Sequence, residues 1–118
     1  MRKIKIISST IFLILIFSSY SYAESSADQG KVTFESKCVA CHMLSENRLI
    51  GPGLKGVTQR RNREWLTGFI KDPGRYLAEK DPIATELLSE YIVPMANMGL
   101  TDEEVDSVLL YLEAQDAS

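Results

Sequence analysis

An all-α fold is predicted for this chain of 118 residues, and three stretches predict it. Thr101 followed by Glu104 makes a capping box. After it Val105, Val108, Leu109 and Leu112 recur at i, i+3, i+4 and i+7, the spacing of one buried helix face. Asp81-Pro82 is a second helix start, with an acceptor side chain at the N-cap and proline at the first helical position. Cys38-Val39-Ala40-Cys41-His42 sets two thiols one helical turn apart, at the end of a helix expected from about Gln29 with Asp28 as its cap. Four to five short helices are expected, in one domain with no internal repeat or low-complexity block.

The first 23 residues are expected to lie outside that domain. Arg2, Lys3 and Lys5 form a positive lead, Ile6 to Phe17 is mostly apolar, and Ser21-Tyr22-Ala23 offers small residues where a signal peptidase reads. Cleavage is expected after Ala23. The apolar run, broken by Ser8, Ser9 and Thr10, falls short of the ~20 residues needed to span a bilayer, so no stable membrane anchor is expected once it is removed. The domain is then 24–118, 95 residues, and losing three cationic side chains takes the net charge from −3 to −6. An acidic chain without a basic tail gives no reason to expect nucleic-acid binding.

Cys-x-x-Cys-His is a haem-attachment signature. Each thiol can add across one vinyl group to give a thioether, and His42 then lies under the macrocycle with Nε2 offered to the iron. A thioredoxin-like pair would call for a βαβ pattern that is absent. A structural zinc site takes about four ligands, and Cys38, Cys41 and the single histidine fall short. A plain disulfide suits an exported chain but leaves the histidine and the downstream Gly-Pro-Gly and methionines unexplained. Because 95 residues bury only a modest core, a covalently held apolar cofactor would supply much of the interior.

Further along, Gly30 and Phe34 fall four apart on one helix face, where a glycine suits the close approach of another helix. Gly51-Pro52-Gly53-Leu54 reads as a tight turn, and Pro52 is the candidate to offer its carbonyl to the Nδ1 proton of His42. Arg60, Arg61 and Arg63 precede a helix carrying Trp65, Leu66, Phe69 and Ile70, which Asp72-Pro73-Gly74 is expected to stop. Trp65 and the arginines suit two roles equally, donors to haem propionates or a core indole beside solvated guanidinium groups. The helix opened by Asp81 carries Ile83, Leu87 and Leu88 on one side, and Tyr91-Ile92-Val93-Pro94 is expected to be extended. The segment Met95 to Leu100 is where a second axial ligand is expected. The final helix is expected to cross the first near Gly30 and Phe34.

The order of these features resembles the small class I c-type cytochromes over essentially the whole of 24–118. The resemblance implies the class I cytochrome c fold around one haem c, attached through Cys38 and Cys41, with electron transfer as the activity and no enzymatic reaction. It also implies His42 as proximal ligand, Pro52 as the carbonyl beside its ring, and Met95 as distal ligand. Met98 competes, but it stands only three residues before Thr101, against six for Met95, and so has less chain in which to turn away from the iron. The family often brackets its methionine with two prolines. Here Pro94 precedes Met95 and Ala96 takes the second place.

The expectation is therefore a periplasmic carrier passing single electrons between proteins of a respiratory chain, with surface charge setting the encounter rate. Two other readings stay open at this point. One is a haem subunit of a larger respiratory complex, and the other a haem with an open distal position for gas binding or catalysis.

Overall fold

The computed structural model describes residues 26–118, which form six helices and no strand. The expected signal segment lies outside the described residues. Helix α1 covers 26–37, α2 Val57–Arg60, α3 Arg63–Lys71, α4 Pro73–Ala78, α5 Pro82–Tyr91 and α6 Asp102–Asp116. No described helix is long and apolar enough to cross a membrane.

Local chemistry explains most of the boundaries. The Thr101 hydroxyl accepts from Glu104 N while the Glu104 carboxylate accepts from Thr101 N at 2.8 Å, closing the expected capping box. Asp81 caps α5 by accepting from Ala84 N at 2.9 Å, with Pro82 behind it. Asn62 accepts from Trp65 N at 3.1 Å and starts α3.

Two sequence expectations need correction, and a third holds but is incomplete. Asp28 does not cap α1, because the backbone is already helical at residue 26. Asp72-Pro73-Gly74 ends α3 but also begins α4: the Asp72 carboxylate accepts from Arg75 N at 3.2 Å, and Pro73 sits where a helix needs no N–H donor. With α2, a single turn entered through Gly56 at φ 73°, this brings the helices to six rather than four or five. Tyr91 to Pro94 is not extended either. Ile92 N still bonds Leu88 O at 2.8 Å, and Val93 N then bonds Tyr91 O at 2.7 Å across Ile92 at φ 69°, ψ −40°. That is a γ-turn of the rare positive-φ kind. The restriction that proline places on its predecessor acts on Val93, not on Ile92.

The core is built on α6. Phe34, Leu66, Val105, Val108, Leu109 and Leu112 are buried, Leu109 completely. At the crossing of α1 and α6 a Cβ on Gly30 would overlap the Ser107 carbonyl, and the Phe34 and Tyr111 rings stand 5.6 Å apart at 53°. Only a residue without a side chain lets these two backbones approach so closely. Arg63 pairs with Asp106 and Glu113, joining α3 to α6. At the far end of α6 the Asp116 carboxylate accepts from Gly56 N at 2.7 Å and from Thr58 N at 2.9 Å, capping α2 from another element.

Candidate haem site

The motif emerges directly from α1. Cys38 N bonds Phe34 O at 2.8 Å, and His42 N bonds Cys38 O at 2.9 Å, so one further turn carries the chain from the helix to the histidine. Loop 43–54 folds back on it through Gly51 N to Cys41 O and Leu54 N to Met43 O, each 2.8 Å. That return brings Pro52 O to 2.9 Å from His42 Nδ1. With the Nδ1 proton donated to this carbonyl, the lone pair at Nε2 is left for a metal. Gly51 packs flat against the ring, where a Cβ would come 2.6 Å from His42 Cε1.

His42 opens on a cleft with two lobes, one of about 390 Å³ and one of about 210 Å³. Cys38, His42, Pro52, Phe69, Leu87, Tyr91 and Met95 line both lobes. Core side chains Phe34, Val57, Leu66, Val108 and Leu112 close the larger lobe from within, and Arg60, Arg61 and Glu46 stand at its polar side. Ile50 and Val93, half exposed, rim the smaller lobe. The cleft is therefore apolar in depth and polar at one margin, the character needed for a macrocycle with carboxylate tails.

The donor set fits that group. Cys38 and Cys41 are each partly buried and are not joined to one another in a disulfide. Burial raises the Cys38 pKa, and the charge of Cys41 adds to this against the opposing pull of Lys37. Among the described residues no group of three His, Cys, Asp or Glu side chains could hold a bare metal ion, so the zinc reading gains no support.

The methionines separate by position. Met95 is partly buried and reaches both lobes, whereas Met98 lines only the smaller one and packs against the hydrophobic core. Met43 is 40% exposed and lines neither.

The indole and the arginines depart from one of the two roles weighed for them. Trp65 Nε1 donates to Asp81 Oδ1 at 3.2 Å, so its N–H is engaged with the cap of α5 rather than aimed at a propionate. The ring stacks on Phe69 at 4.6 Å, and Tyr76 meets both edge-on. Trp65 thus lines the larger lobe as an aromatic wall. Arg63 is held by α6, and Arg60 donates to the carbonyls of Lys55 and Gly53. Arg61 remains at the cleft, with its guanidinium 6.0 Å from the Trp65 ring centre. Arg48 was not singled out from sequence. It donates to Glu90 O at 3.0 Å and lies 4.3 Å over the Tyr91 ring.

Comparison with known proteins agrees with this geometry. Residues 27–116 match the family described as Cytochrome c. A cytochrome c-553-like protein of Synechocystis is 31% identical over 70 residues, 52% of this chain and 67% of that protein. Among solved structures, a cytochrome c from Rhodothermus marinus is 33% identical with a TM-score of 0.75, covering 80% of this chain and 79% of its own. A cytochrome c domain from Pseudomonas putida is 38% identical with a TM-score of 0.67, covering 75% and 88%. This chain belongs to the cytochrome c family, with covalently bound haem c at Cys38 and Cys41 and haem-based electron transfer as its activity.

Proposed function

We propose that this cytochrome is an exported, periplasmic one-electron carrier whose iron is ligated by His42 and Met95. The observation that carries the reading is that His42 and Met95 line the same two lobes of one cleft. When bound, haem c supplies a reversible one-electron couple at its iron. Pro52 O fixes the His42 tautomer and ring plane, so Nε2 is the donor atom and the imidazole is made more basic. The Met95 thioether is a soft ligand that favours the ferrous state, and the apolar walls oppose the extra charge of the ferric state. Both act to raise the potential.

The partners are proposed to be redox proteins of a respiratory chain, met through the rim at Ile50 and Val93, which are 50% and 58% exposed. The acidic balance of the chain favours partners with basic surfaces. Export is supported by the composition of the first 23 residues and by a Cys-x-x-Cys-His pair that needs haem attachment outside the cytoplasm. Carbon monoxide added to the ferrous holoprotein tests the closed distal side. A carrier with Met95 bound takes it up slowly and weakly, and rapid stoichiometric uptake would establish an open haem instead.

A further inference from the structure

We propose that Arg48 is a positioning residue: it latches the end of α5 to the proximal loop and thereby holds Met95 in the cleft. The proposal rests on the reading of Met95 as the distal ligand. Its first ground is a missing donor. In a continuing helix the Glu90 carbonyl would accept from the N–H four residues on, but that residue is Pro94, which has none. Ile92 N is committed to Leu88 O and Val93 N to Tyr91 O. Arg48 Nη2 supplies the bond to Glu90 O at 3.0 Å.

The second ground is the turn that follows. Ile92 is β-branched yet sits at φ 69°, and its side chain is 77% exposed, so packing does little to hold the strained turn. Three residues beyond it, Met95 must be back in the cleft. Fraying of the last turn of α5 therefore reaches the ligand directly. Arg48 opposes this with its bond to Glu90 O and its guanidinium 4.3 Å over the face of Tyr91, itself a lining residue. It can act as an anchor because its own loop is tied to the haem motif at Cys41 and closed on itself from Leu54 N to Met43 O. At the other end of loop 92–101, which carries Met95, Lys71 Nζ holds Leu100 O at 2.9 Å, so the loop is gripped on both sides by cations on carbonyls.

The test is imidazole binding to the ferric holoprotein at neutral pH, read by loss of the weak red band of methionine-ligated ferric haem. Arg48→Ala should bind imidazole about tenfold more tightly than wild type, with far-UV helix content unchanged. Arg48→Gln should behave similarly and serves if the alanine variant yields little holoprotein. Arg48→Lys, which restores a cation and a donor, should recover part of the wild-type affinity. Lys31→Ala, which removes an exposed pair with Glu35 on α1, should leave it unchanged. Wild-type affinity in both Arg48→Ala and Arg48→Gln, or an equal rise in Lys31→Ala, overturns the latch alone. A red band that survives Met95→Ala overturns the ligand reading beneath it.

Discussion

His42 Nδ1 stands 2.9 Å from Pro52 O, and the intervening chain closes on the ring only because residue 51 is a glycine. A Cβ at Gly51 would come 2.6 Å from His42 Cε1 and 3.3 Å from Cys41 O. Gly51→Ala should push the ring or the turn aside, lengthen the bond to Pro52 and make the imidazole less basic. We expect a loss of about 1–3 kcal/mol in stability, as for other overpacked sites, and a raised reduction potential. Denaturant unfolding and a redox titration of the holoprotein measure both.

Gly30→Ala should be costly for a different reason. Its Cβ would overlap the Ser107 carbonyl, a backbone atom in the middle of α6 that cannot step aside. About 3 kcal/mol of destabilisation is expected, at the upper end for an added methyl, with the haem spectrum of the surviving folded protein unchanged. Thermal melts followed in the far ultraviolet and in the Soret region should shift together.

Asp116 gives the fold a dependence on acid. Partial burial raises its pKa, but the bonds from the Thr58 hydroxyl, Thr58 N and Gly56 N outweigh this and leave it below its ordinary value of 3.8. A carboxylate with a depressed folded pKa stabilises the fold above its unfolded pKa. The contribution fades as pH falls from near 4 through the folded value. Asp116→Asn should therefore be less stable than wild type at neutral pH, and the two should converge in strong acid. Urea midpoints measured across that range report it.

The arginines divide by role. Arg60 and Arg61 both stand at the cleft, but Arg60 is spent on the Lys55 and Gly53 carbonyls, whereas Arg61 pairs with no carboxylate among the described residues, so Arg61→Gln should leave a haem carboxylate less compensated and lower the potential. The change expected for one charge near the iron is on the order of tens of millivolts. Arg63→Gln should leave the potential in place and cost about 1 kcal/mol through Asp106 and Glu113, an exposed network.

What could be read before the structure was known followed from chemistry local in the chain. The capping box at Thr101, the stripe from Val105 to Leu112 and the Asp81-Pro82 start involve residues within a turn or two of each other, and each is where expected. The approach of α1 to α6 was legible because a glycine four residues from a phenylalanine has few other uses in a helix. Asp72-Pro73-Gly74 was read only as a stop because proline punctuates both ends of helices, and six residues are too few to show a period. Trp65 near arginines suited a propionate contact and a core indole equally, and only the fold shows that Asp81, 16 residues on, accepts the bond from its N–H. The bond from Arg48 to Glu90 O spans 42 residues and involves a backbone acceptor, which no side-chain pattern can announce.

The ferric absorption spectra of wild type, Met95→Ala and Met98→Ala test the account at its centre. With His42 and Met95 on the iron, the weak red band of methionine-ligated haem should be present in wild type and Met98→Ala and absent from Met95→Ala. A band lost in Met98→Ala and kept in Met95→Ala would contradict the ligand assignment and the carrier geometry built on it.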